Sequence, residues 1–222
     1  EEDAWFEKRD NRVSVRMTPR VGGPLVSVVI PCFNYGPYLT EAVESVIGQS
    51  FQDFEIIIVN DGSTDNSRQV AEDLIANHPG HLIRLIDQHN SGQPAVSRNN
   101  GIAEARGTYI LPVDADDKLA TSSSLKILLD EAIKHRDTPV AVVGWVQKFG
   151  VEDDLWKPKG FDPNRILRRC TVPYCALYHR SVWERQGGYR TNVPGYEDWD
   201  FWIGATIQGV RFVHLEAPVL LY

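Results

Sequence analysis

The stretch Leu25–Asp61, "LVSVVIPCFNYGPYLTEAVESVIGQSFQDFEIIIVND", indicates the fold class, because two short apolar runs flank an amphipathic segment. The runs "LVSVVIP" and "FEIIIVND" are rich in β-branched residues, which is typical of buried strands. Between them, apolar residues recur at the spacing of one helical face, namely Leu39, Ala42, Val43, Val46 and Ile47. Strand, helix and strand in this order predict a βαβ unit with two parallel strands.

The alternation of strands and helices continues beyond this unit. The runs "HLIRLID", "YILPVD" and "PVAVVGW" predict three further strands, and helical faces precede them at 70–75, 94–105 and 125–133. Five strands that alternate with four helices predict an α/β fold, in which a mostly parallel central sheet is flanked by helices. Such sheets bind ligands at the carboxyl ends of their strands, where the polar clusters "CFNYG", "NDGSTD" and "DADD" occur.

The composition narrows the class of protein. Of the 222 residues, 42% are hydrophobic and 24% are charged, as in an ordinary globular domain. A formal net charge of −7 without a basic stripe argues against nucleic acid binding. No run approaches the roughly 18 apolar residues of a membrane span, so no transmembrane segment is predicted. Three cysteines favour free thiols in a reducing compartment, which predicts a cytoplasmic location.

The ends of the sequence indicate a piece of a longer protein. Position 1 is not Met, and the last residues, "PVLLY", lie within a predicted strand. We expect that any attachment to the inner face of the membrane is made by segments outside this chain. We interpret residues 1–24 as an N-terminal extension and 146–170 as a long loop. After this loop, "TVPYCALYH", "VRFVHL" and "PVLLY" are interpreted as strands, and "SVWERQGGY" and "EDWDFWIGATI" as helices.

An acidic cluster, "DADD" at 114–117, follows the fourth predicted strand. Two carboxylates about 5 Å apart repel each other by roughly 3 kcal/mol at an effective dielectric constant near 20, so three of them need a compensating charge. Protonation, the adjacent Lys118 or a hard divalent cation with oxygen ligands would each supply it. A solvated acidic turn is the alternative. The position at the ligand edge of the sheet favours the cation.

Acids near the other end of the chain, in "YEDWDFW", allow two interpretations. Glu197, Asp198 and Asp200 suit the first turn of a helix, where the helix dipole favours negative charge. Alternatively, a carboxylate that faces the cation could take a proton from an incoming hydroxyl while the new bond forms. Among the histidines, His214 is kept as a third metal ligand.

Asp61 ends the second predicted strand, as the ribose-binding acid of a dinucleotide fold does. The first turn, "PCFNYGPY", contradicts that fold because it has one glycine and no GxGxxG motif. Phe33 or Tyr35 could instead offer a ring on which a base stacks, while Asp61 accepts a hydrogen bond from the edge of the base. Core packing and a simple turn are the alternatives for these residues.

Four segments taken in order resemble the family 2 inverting glycosyltransferases of the GT-A fold. They are "VSVVIPCFNYGPYLTEAVESVIGQSFQDFEIIIVNDGSTDNS", "NSGQPAVSRNNGIAEARGTYILPVDADD", "GGY" and "EDWDFW". The resemblance covers residues 25–222 and implies a Rossmann-like nucleotide-binding half at 25–118 and an acceptor-binding half at 119–222. It also implies a nucleotide-sugar donor, usually a UDP-sugar, and a Mn²⁺ or Mg²⁺ ion. The acceptor would be a hydroxyl of a glycan, a lipid-linked glycan or a protein.

The resemblance also assigns roles to residues by position. Asp114 and Asp116 match the DxD motif, with Asp116 the more direct metal ligand, and Asp117 orients its neighbours or touches the acceptor. Asp198 matches the general base, with Glu197 beside it. The positions expected to bind the nucleotide sugar are Pro31, Phe33, Asn34, Asp61, Arg98, Asp114 and Ala115.

Two rival functions are weighed against this one. A non-catalytic nucleotide-binding or scaffolding relative would share the fold, but the retained acids argue against it. A sugar-phosphate nucleotidyltransferase would carry a glycine-rich first loop with Arg and Lys, which the sequence lacks.

Overall fold

The structure is a computed structural model that describes residues 22–149, 154–158, 160 and 162–222. It has the α/β fold predicted from the sequence, since one sheet carries helices on both faces. The predicted N-terminal extension, residues 1–24, lies outside the described residues except for 22–24. Within the described part of the chain, no helix combines the length and the apolar character that crossing a membrane requires.

The first part of the chain follows the predicted alternation of strands and helices. Its elements are β1 (Val26–Cys32), α1 (Gly36–Ile47), β2 (Phe54–Asp61), α2 (Ser67–Asn77), β3 (Leu82–Gln88), α3 (Pro94–Glu104), β4 (Tyr109–Pro112), β5 (Lys118–Leu119) and α4 (Ser124–Lys134). The remaining elements are β6 (Val140–Gln147), β7 (Leu155–Trp156), α5 (Pro163–Ile166), β8 (Leu177–His179), α6 (Ser181–Gln186), α7 (Glu197–Ile207) and β9 (Arg211–Leu221).

Two of these strands, β5 and β7, are not predicted from the sequence, because two residues are too few to show a period. β7 and α5 lie within 146–170, for which the sequence predicts only a loop. Of this stretch, 150–153, 159 and 161 lie outside the described residues.

The sheet has the strand order β3-β2-β1-β4-β8-β6-β9-β5, and β7 pairs with β6 outside this path. β3, β2, β1 and β4 are parallel to one another, as predicted. β6 does not lie next to β4, because β8 is inserted between them and is antiparallel to both. All three residues of β8 are buried, so its sequence shows no alternation that would reveal its place.

β1 and β2 are buried on both faces, which explains their nearly unbroken apolar runs. Helices α1, α2 and α4 cover one face of the sheet, and α3 and α7 cover the other. Gly101 of α3 lies so near the sheet that a Cβ there would come within 2.5 Å of Val29 and 2.9 Å of Val59. The missing side chain lets α3 pack closely on β1 and β2, which positions Arg98, three residues earlier, near the strand ends.

The two closing strands predicted from "VRFVHL" and "PVLLY" form one strand, β9. Its parallel pairing with β6 is irregular on either side of Trp145, which lies opposite Pro218. This irregularity accommodates a proline, which cannot donate a hydrogen bond to a neighbouring strand. The end of β9 pairs with β5, directly after the acidic cluster. One sheet therefore runs through both halves of the chain.

Candidate active site

A cavity of about 350 Å³ opens where β1, β2 and β4 end, and we call it the strand-end cavity. Because these strands are parallel, their carboxyl ends lie at the same edge of the sheet. Eight residues that the sequence analysis names as candidates line this cavity: Pro31, Phe33, Tyr35, Asp61, Arg98, Asp114, Ala115 and Asp116.

Asn34 shapes the turn after β1. Its backbone is left-handed, with φ 59°, a conformation that Asn adopts more readily than most residues. Its side-chain oxygen accepts hydrogen bonds from the N–H groups of Thr64 and Asp65 at 2.8 and 3.3 Å, and its own N–H donates to Ser63 Oγ at 3.0 Å. Asn34 thus ties the loop after β1 to the loop after β2. Phe33, beside it, is 44% exposed and presents its ring to the strand-end cavity.

Asp61 is only 4% exposed, and three hydrogen bonds fix its carboxylate. Oδ1 accepts from Gln88 Nε2 at 2.6 Å and from the Ser91 N–H at 3.0 Å, and Oδ2 accepts from Ser91 Oγ at 2.8 Å. A carboxylate has about four lone-pair positions, so roughly one remains for a ligand N–H. Sequence reasoning missed Gln88 and Ser91, the two residues whose hydrogen bonds hold the carboxylate of Asp61.

The acidic cluster is held by Tyr174, another residue that the sequence analysis missed. The Asp114 N–H donates to the Tyr174 hydroxyl at 3.0 Å, and this hydroxyl donates to Asp117 Oδ2. Burial, together with the charges of Asp114 and Asp116, raises the pKa of Asp117 to about 7, although the bond from Tyr174 opposes the rise. Asp117 therefore points into the protein, whereas Asp116 is exposed in the cavity.

Arg98 supplies much of the positive charge that the acidic cluster requires. This side chain is 3% exposed, and its Nη2 donates to both oxygens of Asp114 at 2.8 and 3.1 Å. Its Nη1 donates to Asp198 Oδ1 at 2.9 Å and, at 3.4 Å, to Glu197 Oε1. One buried guanidinium therefore connects the end of β4 to the start of α7. The adjacent Lys118 does not take this role, because it pairs with Glu41 at 2.7 Å.

Asp198 does not line the strand-end cavity, but it binds the terminal nitrogen of Arg98 that Asp114 leaves free. It lines two further cavities of about 590 and 460 Å³, which we call the larger and the smaller Asp198 cavity. Burial raises the pKa of Asp198 to about 6, with the charges of Asp114 and Glu197 adding to the rise and Arg98 opposing it. The higher pKa makes Asp198 a better proton acceptor than an ordinary carboxylate.

The donor set in the strand-end cavity fits a hard divalent cation. Desolvation and the charge of Asp114 raise the pKa of Asp116, and within the described residues no Lys, Arg or His pairs with Asp116. No group of three or more His, Cys, Asp or Glu in that part of the chain is arranged to hold a metal ion. Two carboxylates with phosphate oxygens and water would complete a shell of the kind that Mg²⁺ adopts.

The structure does not bring His214 to this cavity. His214 pairs with Val143 in the middle of the β6–β9 ladder, and burial lowers the pKa of its ring. Tyr222, eight residues later, is the β9-side residue that lines the strand-end cavity. A strand rises about 3.3 Å per residue, so His214 lies on the order of 25 Å from Tyr222 and from the cavity that Tyr222 lines.

Three comparisons with known proteins place the chain in a wider group. The family model described as "Glycosyl transferase family 2" matches residues 27–191, which is more than half of the chain. The "Uncharacterized glycosyltransferase EpsJ" of Bacillus subtilis is 36% identical over 146 residues, which make up 66% of this chain and 41% of EpsJ. The chain thus spans less than half the length of this relative.

Two solved structures share the fold. A crystal structure of S. aureus TarS in complex with UDP-GlcNAc superposes with a TM-score of 0.74 at 21% identity, covering 89% of this chain and 58% of that one. The mannosyltransferase PcManGT from Pyrobaculum calidifontis, in complex with GDP-Man and Mn²⁺, gives a TM-score of 0.67 at 19% identity, covering 92% of this chain and 59% of that one. The fold and the family model agree, and the chain belongs to glycosyl transferase family 2.

Proposed function

We propose that this chain is a metal-dependent inverting glycosyltransferase, which moves a sugar from a UDP-sugar to an acceptor hydroxyl in one displacement. The observation that carries the proposal is the position of Arg98. Its two terminal nitrogens bind Asp114 of the strand-end cavity and Asp198 of the Asp198 cavities, at 2.8 and 2.9 Å. Arg98 therefore joins the acidic cluster to the candidate base, and the strand-end cavity and the larger Asp198 cavity meet at Tyr222.

The nucleotide would occupy the strand-end cavity. A base can stack on the exposed ring of Phe33, and the remaining acceptor position of Asp61 suits a ring N–H such as that of uracil. TarS, whose fold is similar, binds UDP-GlcNAc, which supports this choice of donor. Pro31 and Asn34 act through the turn that presents Phe33.

Asp116 and Asp114 would hold Mn²⁺ or Mg²⁺ beside the diphosphate, as the donor set allows. When bound, such an ion acts as a Lewis acid that offsets negative charge on a departing phosphate oxygen. PcManGT carries Mn²⁺ with its nucleotide sugar, which supports the assignment. In this chain Arg98 orients the carboxylate of Asp114, while Tyr174 fixes the backbone of the same loop.

Asp198 would take the proton from the acceptor hydroxyl as its oxygen bonds to the anomeric carbon. The bond from this carbon to the diphosphate breaks in the same step, and its electron pair leaves on the phosphate oxygen. Attack comes from the Asp198 side and departure is towards the strand-end cavity, so the configuration is inverted. Arg98 orients Asp198, and Glu197 shares the same guanidinium.

The test is an assay of UDP release from a panel of nucleotide sugars, with and without Mn²⁺. We expect slow metal-dependent hydrolysis of a UDP-sugar, and NMR of any transfer product should show the opposite anomer to the donor. A chain that binds UDP and Mn²⁺ but never cleaves a donor would be a non-catalytic relative. Equal release from all donors without metal would contradict the assignment of the acidic cluster.

A further inference from the structure

The two Asp198 cavities are adjacent, since both are lined by Cys170 as well as Asp198. The smaller one is also lined by Arg168, Arg169 and Tyr196. An acceptor whose hydroxyl reaches Asp198 must enter through one of these cavities. Their side chains therefore indicate the chemistry of the acceptor.

Arg168 and Arg169 place two adjacent positive charges on the wall of the smaller Asp198 cavity. Both are exposed, and no salt bridge joins either of them to a carboxylate within the described residues, which exclude 150–153, 159 and 161. The carboxylates nearest along α7 are already engaged: Asp198 pairs with Arg98, and Asp200 pairs with Arg190. In a chain with a formal net charge of −7, two adjacent unpaired arginines at the mouth of a cavity are a local excess of positive charge.

The same cavity offers a surface for a sugar ring. Tyr196, which immediately precedes α7, is 64% exposed, and its ring centroid lies 6.2 Å from that of Trp199. Both aromatic residues line the smaller Asp198 cavity together with the two arginines. Amphipathic rings next to a guanidinium fork suit a ligand that has both a flat sugar face and an anionic group.

We propose that the acceptor is an anionic sugar chain, and that Arg168 and Arg169 bind a carboxylate or phosphate group of it beside the hydroxyl that reaches Asp198. This inference rests on the proposed function, because it assigns the acceptor of that same reaction. A guanidinium binds carboxylate and phosphate oxygens in the same two-pronged way, so either group fits the pair. The larger cavity, with Lys157 and Trp156 in its wall, extends the surface for neighbouring units of the chain.

The test compares three probes of equal length: a uronate oligosaccharide, an oligosaccharide bearing phosphodiester groups and a neutral oligosaccharide. Binding to the 222-residue chain is measured by calorimetry with UDP and Mn²⁺ present. We expect at least one anionic probe to bind about tenfold more tightly than the neutral one, as charge-assisted hydrogen bonds predict. The advantage should shrink when salt rises from about 50 to about 500 mM, because salt screens exposed charges. The two anionic arms tell a carboxylate from a phosphate.

The matched variants are the double substitutions Arg168→Gln with Arg169→Gln, and Arg136→Gln with Arg211→Gln. Arg136 and Arg211 are exposed and lie near the starting ends of β6 and β9, at the opposite edge of the sheet. The variant that lacks Arg168 and Arg169 should lose the preference for the anionic probe, whereas the variant that lacks Arg136 and Arg211 should retain it. UDP affinity should stay unchanged in both.

Failure of this inference is distinguishable from failure of the proposed function. If the chain binds UDP with Mn²⁺ but neither anionic probe is preferred, or the preference survives loss of Arg168 and Arg169, the acceptor assignment is overturned alone. If UDP itself does not bind, the donor assignment of the proposed function fails together with the acceptor assignment.

Discussion

The strand-end cavity and the Asp198 cavities differ in how the chain builds them. The first takes its side chains from the ends of β1, β2 and β4 and the start of α3, with Tyr222 added from the end of the chain. The others take theirs from the end of β6, β7, the segment before β8, and α7, and the larger one shares Tyr222 with the strand-end cavity. Parallel strands bring their carboxyl ends together by topology alone. The Asp198 cavities, in contrast, depend on how short irregular segments pack.

The two regions also differ in charge. Asp61, Asp114 and Asp116 make the strand-end cavity acidic, whereas Arg168 and Arg169 make the smaller Asp198 cavity basic. Arg98 lies at the boundary and pairs with acids from both sides. The proposed cation and nucleotide site is thus formed by strand ends that belong to the fold, whereas the proposed acceptor site is formed by segments added to it. The four predictions below test this division, starting with the largest effect.

Asp198→Asn should separate the two regions most sharply. The amide cannot accept the proton, so we expect the transfer rate to fall about a thousandfold, as for loss of a general base. UDP should still bind in the presence of Mn²⁺, because the strand-end cavity is untouched. Turnover and calorimetry measure the two quantities. Asp200→Asn, on the same helix but paired with Arg190, is the control and should keep its activity. Wild-type turnover in the Asp198 variant would refute the base assignment.

Arg98→Met should break the link between the two regions. Three carboxylates would lose their shared counter-charge in a buried site, which typically costs about 3–5 kcal/mol in the free energy of unfolding. Chemical denaturation measures this loss. Arg98→Lys restores the positive charge and should recover part of the stability. The recovery should be incomplete, because a single ammonium cannot reach both Asp114 and Asp198. Arg190→Met removes an exposed pair and should cost less than about 1 kcal/mol. If Arg98→Met and Arg190→Met lowered the free energy of unfolding equally, the burial of Arg98 would not increase the contribution of its ion pairs to stability.

Tyr174→Phe should loosen the acidic cluster of the strand-end cavity, although Tyr174 itself lines the larger Asp198 cavity. The variant leaves Asp117 and the Asp114 N–H without their shared hydroxyl, which should lower the free energy of unfolding by about 1–3 kcal/mol. Tyr189→Phe is the matched control, since its hydroxyl has a contact of only 3.5 Å with Tyr178. We expect a smaller loss there, below about 1 kcal/mol. A larger loss in the control would contradict the role of Tyr174.

The pH dependence of transfer should report on Asp198. Its carboxyl has a pKa raised to about 6, so the ionised base is present above this pH and is lost as pH falls through it. With donor and metal saturating, we expect kcat/KM for the acceptor to drop about tenfold between roughly pH 7 and pH 5, because one base becomes protonated. An unchanged kcat/KM across this range would mean that another group accepts the proton.

Much of the strand-end cavity could be predicted from the sequence. Alternating patterns locate β1 to β4 and their helices, and polar residues after each strand then fall at one edge. Asp61, Asp114 and Asp116 were found in this way. His214 is a candidate because it lies on a late predicted strand, but the structure places it in the middle of the β6–β9 ladder. A residue type without a strand end beside it carries little positional information.

Local sequence patterns were sufficient to predict the α/β fold, the parallel strands β1 to β4 and the acids at their ends, because strand and helix periods are local properties of the chain. The insertion of β8, the anchoring of the acidic cluster by Tyr174 and the partners of Arg98 are visible only in the folded structure. Arg98 and Asp198 are 100 positions apart, and Tyr174 and Asp117 are 57 apart. No local pattern encodes such pairs, since each depends on how separate elements pack around one buried charge.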